Sequence, residues 1–421
     1  MTLFKTTLWT GFSTLIKAIS SYIMWKIIAV YTGPSGLAAI EQFQNFIQIC
    51  RSFSSSFNQG VIKYVSEYKH DENNKSRIVS SAFIAYIIIS IIVTFILFFF
   101  SSEISEKIFS SEEYKNTIKI LGLSITLFTL NGLLLSVLNG ELEIKKYVSC
   151  NIANTILIFI ITVYLVIHHG VQGGLIGFVL NQSIVLLLTL YFVVKSQWFK
   201  INFFIQGIDK NSIYLLIKYA GISFAPIIIT PITLVILRKY IVHALSWQDA
   251  GYWQAIMRLS EAYLILMEVM VNVYFLPKIS SIKKYSEFKS EIMACYRLII
   301  PIVFMGLVLV FLLKKQIVIA MYSEKFFPML ILFKYQIIGD ITKICAWFLI
   351  NIMAARAMVK ILVVAEVIFN LSYIILTMIF VHYFGLIGTS MGFALNSTLW
   401  LLAMMFCAMR CMRNGAFQLV A

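Results

Sequence analysis

Residues Gly251–Pro277, GYWQAIMRLSEAYLILMEVMVNVYFLP, are long and apolar enough to cross a bilayer, yet they carry Arg258, Glu261 and Glu268. About 20 predominantly apolar residues span the hydrocarbon core as a helix. A charge at mid-bilayer costs roughly 2.5–3.5 kcal/mol on insertion scales, so three in one span must face something other than lipid. On a wheel of about 100° per residue, Gln254, Arg258, Glu261, Glu268 and Asn272 share an arc of about 80°. The stretch therefore reads as a transmembrane helix with one polar stripe.

The rest of the chain has the same character. Of 421 residues, 60% are hydrophobic and only 13% charged, with mean hydropathy +0.88. A soluble domain is nearer about a quarter charged. The fold class expected is an all-α integral membrane protein. Apolar windows predict twelve spans, at about 8–31, 37–60, 78–100, 117–139, 148–168, 173–195, 213–237, 252–276, 295–313, 329–354, 358–381 and 386–409. No cleavable signal is expected, because Lys17 interrupts the first apolar run and no small-residue cleavage site follows it. Cys50, Cys150, Cys295, Cys345, Cys407 and Cys411 lie in or beside spans without metal-ligand spacing, and read as small apolar residues.

A net charge of +15 raises the question of nucleic acid. The distribution answers it. Counting outward from a cytoplasmic N-terminus, 19 of the Lys and Arg residues fall on the inner side and 7 on the outer. Basic residues concentrate in cytoplasmic loops, so both termini are expected in the cytoplasm and the excess charge is a topology signal. No nucleic-acid partner is expected.

An internal repeat organises the spans. GVQGGLIGFVLN (170–181) aligns with GLIGTSMGFALN (385–396) at an offset of 215, matching Gly170/Gly385, Gly173/Gly388, Gly177/Gly392, Phe178/Phe393, Leu180/Leu395 and Asn181/Asn396. The same offset pairs Gly36 with Gly251, Lys63 with Lys278 and Lys145 with Lys360. Two six-span units in the same orientation are a transporter architecture, with substrate bound between the halves. The expected organisation is a bundle at 1–195, a cytoplasmic linker at 196–212 and a second bundle at 213–421: two parallel six-helix repeats around a central cavity.

Three further spans carry stripes. On the second, Glu41, Gln44, Asn45, Gln48, Arg51, Ser52, Ser55 and Gln59 lie within about 120°. On the first, Thr6, Thr10, Ser13, Thr14, Lys17, Ser20 and Ser21 do the same. On the tenth, Gln336, Asp340, Lys343, Trp347 and Asn351 lie within about 80°. Facing lipid, such stripes would threaten insertion; facing a water-filled cavity they would not. The competing reading is pairing between helices, and Arg258 and Glu261 are spaced to pair on one helix.

The segments GPSGLAAIEQFQNF (33–46), NQGVIKYVSEY (58–68), WQDAGYWQAIMRLSEAYL (247–264), VYFLPKIS (273–280) and GDITKI (339–344) resemble the Wzx-type flippases. These are the O-antigen translocases and lipid III flippases of the multidrug/oligosaccharidyl-lipid/polysaccharide exporter superfamily. The resemblance covers about residues 1–412. It implies two six-helix bundles around a V-shaped cavity, and alternating access. It also implies a cargo of undecaprenyl-pyrophosphate-linked oligosaccharide carried to the periplasmic leaflet of a bacterial inner membrane. Related lipid II flippases carry cavity cations on helices 1, 2 and 8, and Lys17, Arg51 and Arg258 occupy comparable places. Lys17 would offer a point charge where arginine offers a planar fork.

On this reading Arg51, Arg258, Lys17 and Lys343 bind pyrophosphate, because charge-assisted donors suit phosphate oxygens. Gln44, Asn45, Gln48, Gln254 and Asn272 offer amides to sugar. Glu41, Glu261, Glu268 and Asp340 are charge partners, or protonation sites if transport is ion-coupled. No cofactor or metal is expected, and proton or sodium coupling stays open. Membrane lipid, O-antigen polymerase and chain-length proteins are the further partners implied. One rival is a cation-drug antiporter of the same superfamily, which would want an acidic or aromatic cavity; four cations against four acids lean against it. The other is an enzyme of O-antigen assembly, a polymerase or ligase, which would want a large periplasmic loop. The longest outer segment, about 101–116, is short, and no D-x-D or H-E-x-x-H motif is present.

Overall fold

The structure, a computed structural model, describes residues 3–270, 285–355 and 359–413, and these are helical with no strand among them. The chain forms two compact units, Met1–Val235 and Ile236–Ala421.

The first unit begins with α1 (Leu3–Ser55), a 53-residue helix broken at Gly33, where φ is 68° and ψ −173°. At 1.5 Å per residue it would run about 80 Å unbroken, more than twice the bilayer core. Glycine tolerates the positive φ, and Pro34 cannot donate the hydrogen bond that would carry the helix across. The result is two arms, each of bilayer length. There follow α2 (Asn58–Glu67), α3 (Glu72–Phe99), α4 (Ser101–Phe109), a 3₁₀ turn (Glu112–Tyr114), α5 (Lys115–Gly140) and α6 (Ile144–Val194). α6 is 51 residues long and is broken in the same way at Gly170, φ 57°. A short α7 (Asn202–Ile205) precedes α8 (Lys210–Ala244), which crosses the unit boundary.

The second unit continues with α9 (Trp247–Met270), α10 (Tyr285–Leu312), α11 (Lys314–Met321), a 3₁₀ stretch (Glu324–Ile331), α12 (Phe333–Ala355), α13 (Val359–Phe384) and α14 (Leu386–Arg413). By length and apolarity, seven helical stretches among the described residues can cross a membrane, or eight if the pair Ile300–Leu312 and Lys314–Met321, bent by 77°, is one span. Two of the seven, Ser13–Glu67 and Ile144–Val194, are long enough for two crossings each.

The repeat is present in three dimensions. Gly385, φ 59°, turns the chain between α13 and α14 as Gly170 does within α6. A Cβ on Gly173 would stand 2.0 Å from the Leu165 carbonyl oxygen, and one on Gly388 would stand 2.1 Å from that of Phe380. A Cβ on Gly177 would stand 3.0 Å from Thr162 Cα, and one on Gly392 would stand 2.7 Å from Thr377 Cα. Leu165 and Phe380, like Thr162 and Thr377, are again 215 apart. The glycines recur because each half folds an antiparallel helix pair back on itself at backbone contact.

The stretch expected as a linker, 196–212, is built into the first unit. Phe203 and Phe204 are buried with Val61, Tyr64, Tyr86 and Val137 in one apolar cluster. Ser80 Oγ donates to the Gly207 carbonyl at 2.8 Å, and the Asp209 amide donates to Ser81 Oγ at 2.9 Å. Lys200 pairs with Glu72 at 2.5 Å. Leu216, on the first turns of α8, joins the same cluster. These contacts explain why the units divide within α8, after Val235, and not at the polar stretch before it.

Candidate functional site

The second arm of α1 carries the first candidate cluster. Glu41 is buried, and Gln44, Asn45, Gln48 and Arg51 are half-buried. The Arg51 guanidinium lies over Phe128 of α5, 3.4 Å from the ring centroid. Its Nε is buried without a hydrogen-bond partner, as are Asn45 Nδ2, Ser55 Oγ and Asn131 Oδ1. Asn131 follows Phe128 by three residues, so both fall on one face of α5. Ser52 of the stripe and its neighbour Ser54 behave differently. Ser52 Oγ donates to Ile49 O at 2.6 Å and Ser54 Oγ to Arg51 O at 3.1 Å, so both are spent on their own helix. Lys17 is exposed on the first arm, and no described contact joins it to Arg51.

The second cluster is in the second unit. Asp340 of α12 is fully buried. Its Oδ2 accepts from Ser260 Oγ at 2.9 Å and from the Tyr263 hydroxyl. Gln336 Nε2 donates to Ser260 Oγ at 2.9 Å and lies 3.5 Å from Asp340 Oδ1. Ser390 Oγ of α14 donates to Gln336 Oε1 at 3.4 Å. Three helices thus converge on one carboxylate, and the donors offset much of the free energy of burying its charge. Lys343 is half-buried, with Nζ 5.6 Å from the Phe393 ring centroid.

On α9 the predicted stripe runs from buried to exposed: Gln254 is buried, Arg258 half-buried and Glu261 exposed. Gln254 Oε1 accepts from Nη2 of Arg238, which is fully buried and lies 5.5 Å from the Trp253 ring centroid. Asn272 lies outside the described residues, as does the side chain of Glu268.

Sequence reasoning missed Arg238, Ser260, Tyr263, Ser390 and Phe128. Arg238 lies one residue beyond the span expected at about 213–237, where Arg238–Lys239 end the apolar run, but α8 continues to Ala244. Ser260 and Tyr263 lie about 140–200° from Arg258 on the wheel, opposite the stripe, so α9 has two polar faces. Asp340 meets the second of them. A polar residue facing away from a stripe was the available signal.

Residues 37–331 match the family described as "Polysaccharide biosynthesis protein". The chain is 25% identical over 386 residues to a lipid III flippase of Escherichia coli (strain K12), covering 91% of each chain. A lipid III flippase of Shigella flexneri matches to the same extent. The fold is that of an inward-facing multidrug resistance MATE family transporter of the MOP superfamily, with a TM-score of 0.81 over 95% of this chain and 96% of that one, at 12% identity. The proteins matched are flippases and transporters, not enzymes.

Proposed function

Because the chain belongs to the polysaccharide biosynthesis protein family, we propose that it is a flippase for an undecaprenyl-pyrophosphate-linked oligosaccharide, a repeat unit of the O-antigen type. The cargo passes from the cytoplasmic to the periplasmic leaflet of a bacterial inner membrane by alternating access, with both chain termini in the cytoplasm. The relatives similar along 91% of their length are lipid III flippases, and this supports a lipid-linked oligosaccharide as the substrate class.

Arg51 is the observation that carries the chemistry. A guanidinium in a membrane bundle, stacked on one ring and with a buried Nε left unpaired, is costly to keep: a buried unsatisfied polar group costs about 1–3 kcal/mol, more when charged. A diphosphate offers the planar, bidentate acceptor that arginine suits. Arg258, Lys343 and Lys17 are assigned as further phosphate ligands, and Gln44, Asn45, Gln48 and Asn272 as sugar ligands. Gln254 has its carbonyl engaged by Arg238 and contributes through its amide nitrogen. O-antigen polymerase and chain-length proteins are the partners that would consume the product.

The test is deletion of the gene in its native host, followed by mass spectrometry of the undecaprenyl-linked lipids. The expected result is an oligosaccharide repeat unit trapped on the cytoplasmic face with loss of the corresponding surface polysaccharide. Drug hypersensitivity with no trapped lipid would overturn the reading in favour of a drug antiporter.

A further inference from the structure

The side chains around Asp340 form a network that phosphate and sugar binding leave unused. We propose that Asp340 is a proton-binding site and that the Gln336 amide transmits its occupancy to α9 and α14. The inference rests on the export reading only for what the proton drives; the site itself follows from the hydrogen bonds.

Asp340 is fully buried, and no described ion pair holds it. Its two oxygens are unequal. Oδ2 is saturated by Ser260 and Tyr263, whereas Oδ1 has, among the described residues, only the long 3.5 Å approach of Gln336 Nε2. A proton arriving from water adds to a lone pair of Oδ1. The new O–H then confronts the N–H of Gln336, donor against donor.

The two ends of a glutamine amide have nearly the same shape, one offering donors and the other an acceptor. Turning the Gln336 amide by about half a turn resolves the conflict. Oε1 accepts from protonated Asp340, and Nε2 donates to Ser390 Oγ, reversing the present bond in which Ser390 donates to Oε1 at 3.4 Å. Ser260 loses the 2.9 Å bond it now receives from Nε2. One proton thereby changes the partners of Ser260 on α9 and Ser390 on α14, and on release to water the network reverts. Ser260 lies two residues from Arg258, so the rearrangement reaches the helix that carries a phosphate-ligand candidate.

Among the described residues the other titratable groups around the site are few. α9 brings Tyr263, with Arg258 and Glu261 on the neighbouring turn. α12 brings Lys343, three residues on, and α13 brings Tyr373, whose hydroxyl lies 4.0 Å from Met257 Sδ. The 3₁₀ stretch before α12 brings Glu324 and Lys325, both exposed. α14 has no titratable side chain before Cys407, and residues 300–312 of α10 have none.

The experiment compares infrared spectra of purified wild-type protein and Asp340→Asn as pH falls from about 8 to about 5. The expected difference is one protonated-carboxyl band present in the wild type and missing from the variant. No such band down to about pH 4 overturns the site, whatever the protein transports. In proteoliposomes carrying undecaprenyl-linked oligosaccharide, a pH gradient should accelerate wild-type flipping and leave Asp340→Asn unaffected. Gln336→Met should keep the infrared band and lose the acceleration. Stimulation by a sodium gradient at constant pH, with none from a pH gradient, overturns the proton assignment. If Asp340→Asn fails to insert, Asp340→Glu carries the test: the protonated-carboxyl band should move in frequency or midpoint, and a band unchanged in both comes from another group and overturns the proposal. If wild-type protein shows the band but moves no lipid-linked sugar, the proton site stands and the export reading falls.

Discussion

Arg51 rests on Phe128 with its guanidinium carbon 3.4 Å from the ring centroid, so a cation in the first unit is held by an aromatic face and, among the described residues, by no acid. A desolvated cation–π contact is worth about 2 kcal/mol or more. That holds the side chain in place while leaving its N–H groups for a ligand. Arg51→Ala should abolish surface polysaccharide at normal membrane abundance, and Arg51→Lys should restore part of it, because charge survives but the fork does not. Phe128→Leu should reduce export less than Arg51→Ala. Gel analysis of the polysaccharide beside immunoblots of the membrane fraction checks all three, and full export by Arg51→Ala would remove Arg51 from the ligand set.

Lys75 Nζ stands 2.8 Å from Glu141 Oε1, with each side chain about 5% exposed. Removing one partner of a buried pair leaves an uncompensated charge and costs about 3–5 kcal/mol, whereas replacing both by apolar residues is often neutral. Lys75→Ala should therefore lower the unfolding temperature markedly, and Lys75→Met with Glu141→Leu should recover most of the loss. Thermal unfolding in detergent measures both. Equal loss in the single and double variants would show that packing, and not charge pairing, dominates there.

Gly173→Ala and Gly388→Ala should fail in the same way, because each new methyl would meet a backbone carbonyl oxygen at about 2 Å and neither helix can yield cheaply. Gly306→Ala is the control: nothing lies within 4 Å of its Cβ position, and alanine is favoured over glycine in a helix by about 0.5–1 kcal/mol. The yield of folded protein by size-exclusion chromatography separates these outcomes.

Asp209 caps the start of α8, with Oδ2 accepting from the Ser212 hydroxyl and amide at 2.8 Å each. These bonds, the hydroxyl first, hold its carboxyl below the usual carboxylate range. A folded-state pKa below the unfolded one contributes stability above the unfolded pKa, and this is lost as pH falls through the folded value. Wild-type protein should lose stability below about pH 4 more steeply than Asp209→Asn, which should already be less stable at neutral pH. Parallel melting curves across that range, with no difference in slope, would contradict the assignment.

The helices and the repeat were readable because their signals are local. Apolar runs of bilayer length set the helices, and Gly170 and Gly385 mark turns that need positive φ. The side-chain network was not readable in full. A helical wheel shows which residues share a face, but not which face a distant helix will meet. Asp340 and Gln336 lay on a visible stripe of α12, yet their partners Ser260 and Tyr263 lie opposite the stripe of α9. Arg238 was hidden because two adjacent basic residues resemble a helix end, and the burial that makes it notable depends on Gln254, 16 residues away. The 196–212 stretch reads as a connector from its polar residues, while Trp198, Phe199, Phe203 and Phe204 pack with the first unit.

That docking also fixes where the gene can be recombined. A chimera with a relative, joined at residue 196, would graft foreign aromatics onto the apolar cluster formed by α2, α3 and α5, and foreign partners onto Ser80, Ser81 and Glu72. Specificity swaps between relatives therefore belong downstream, within α8 beyond Leu216, with everything from Ser196 to that point inherited together with the first half.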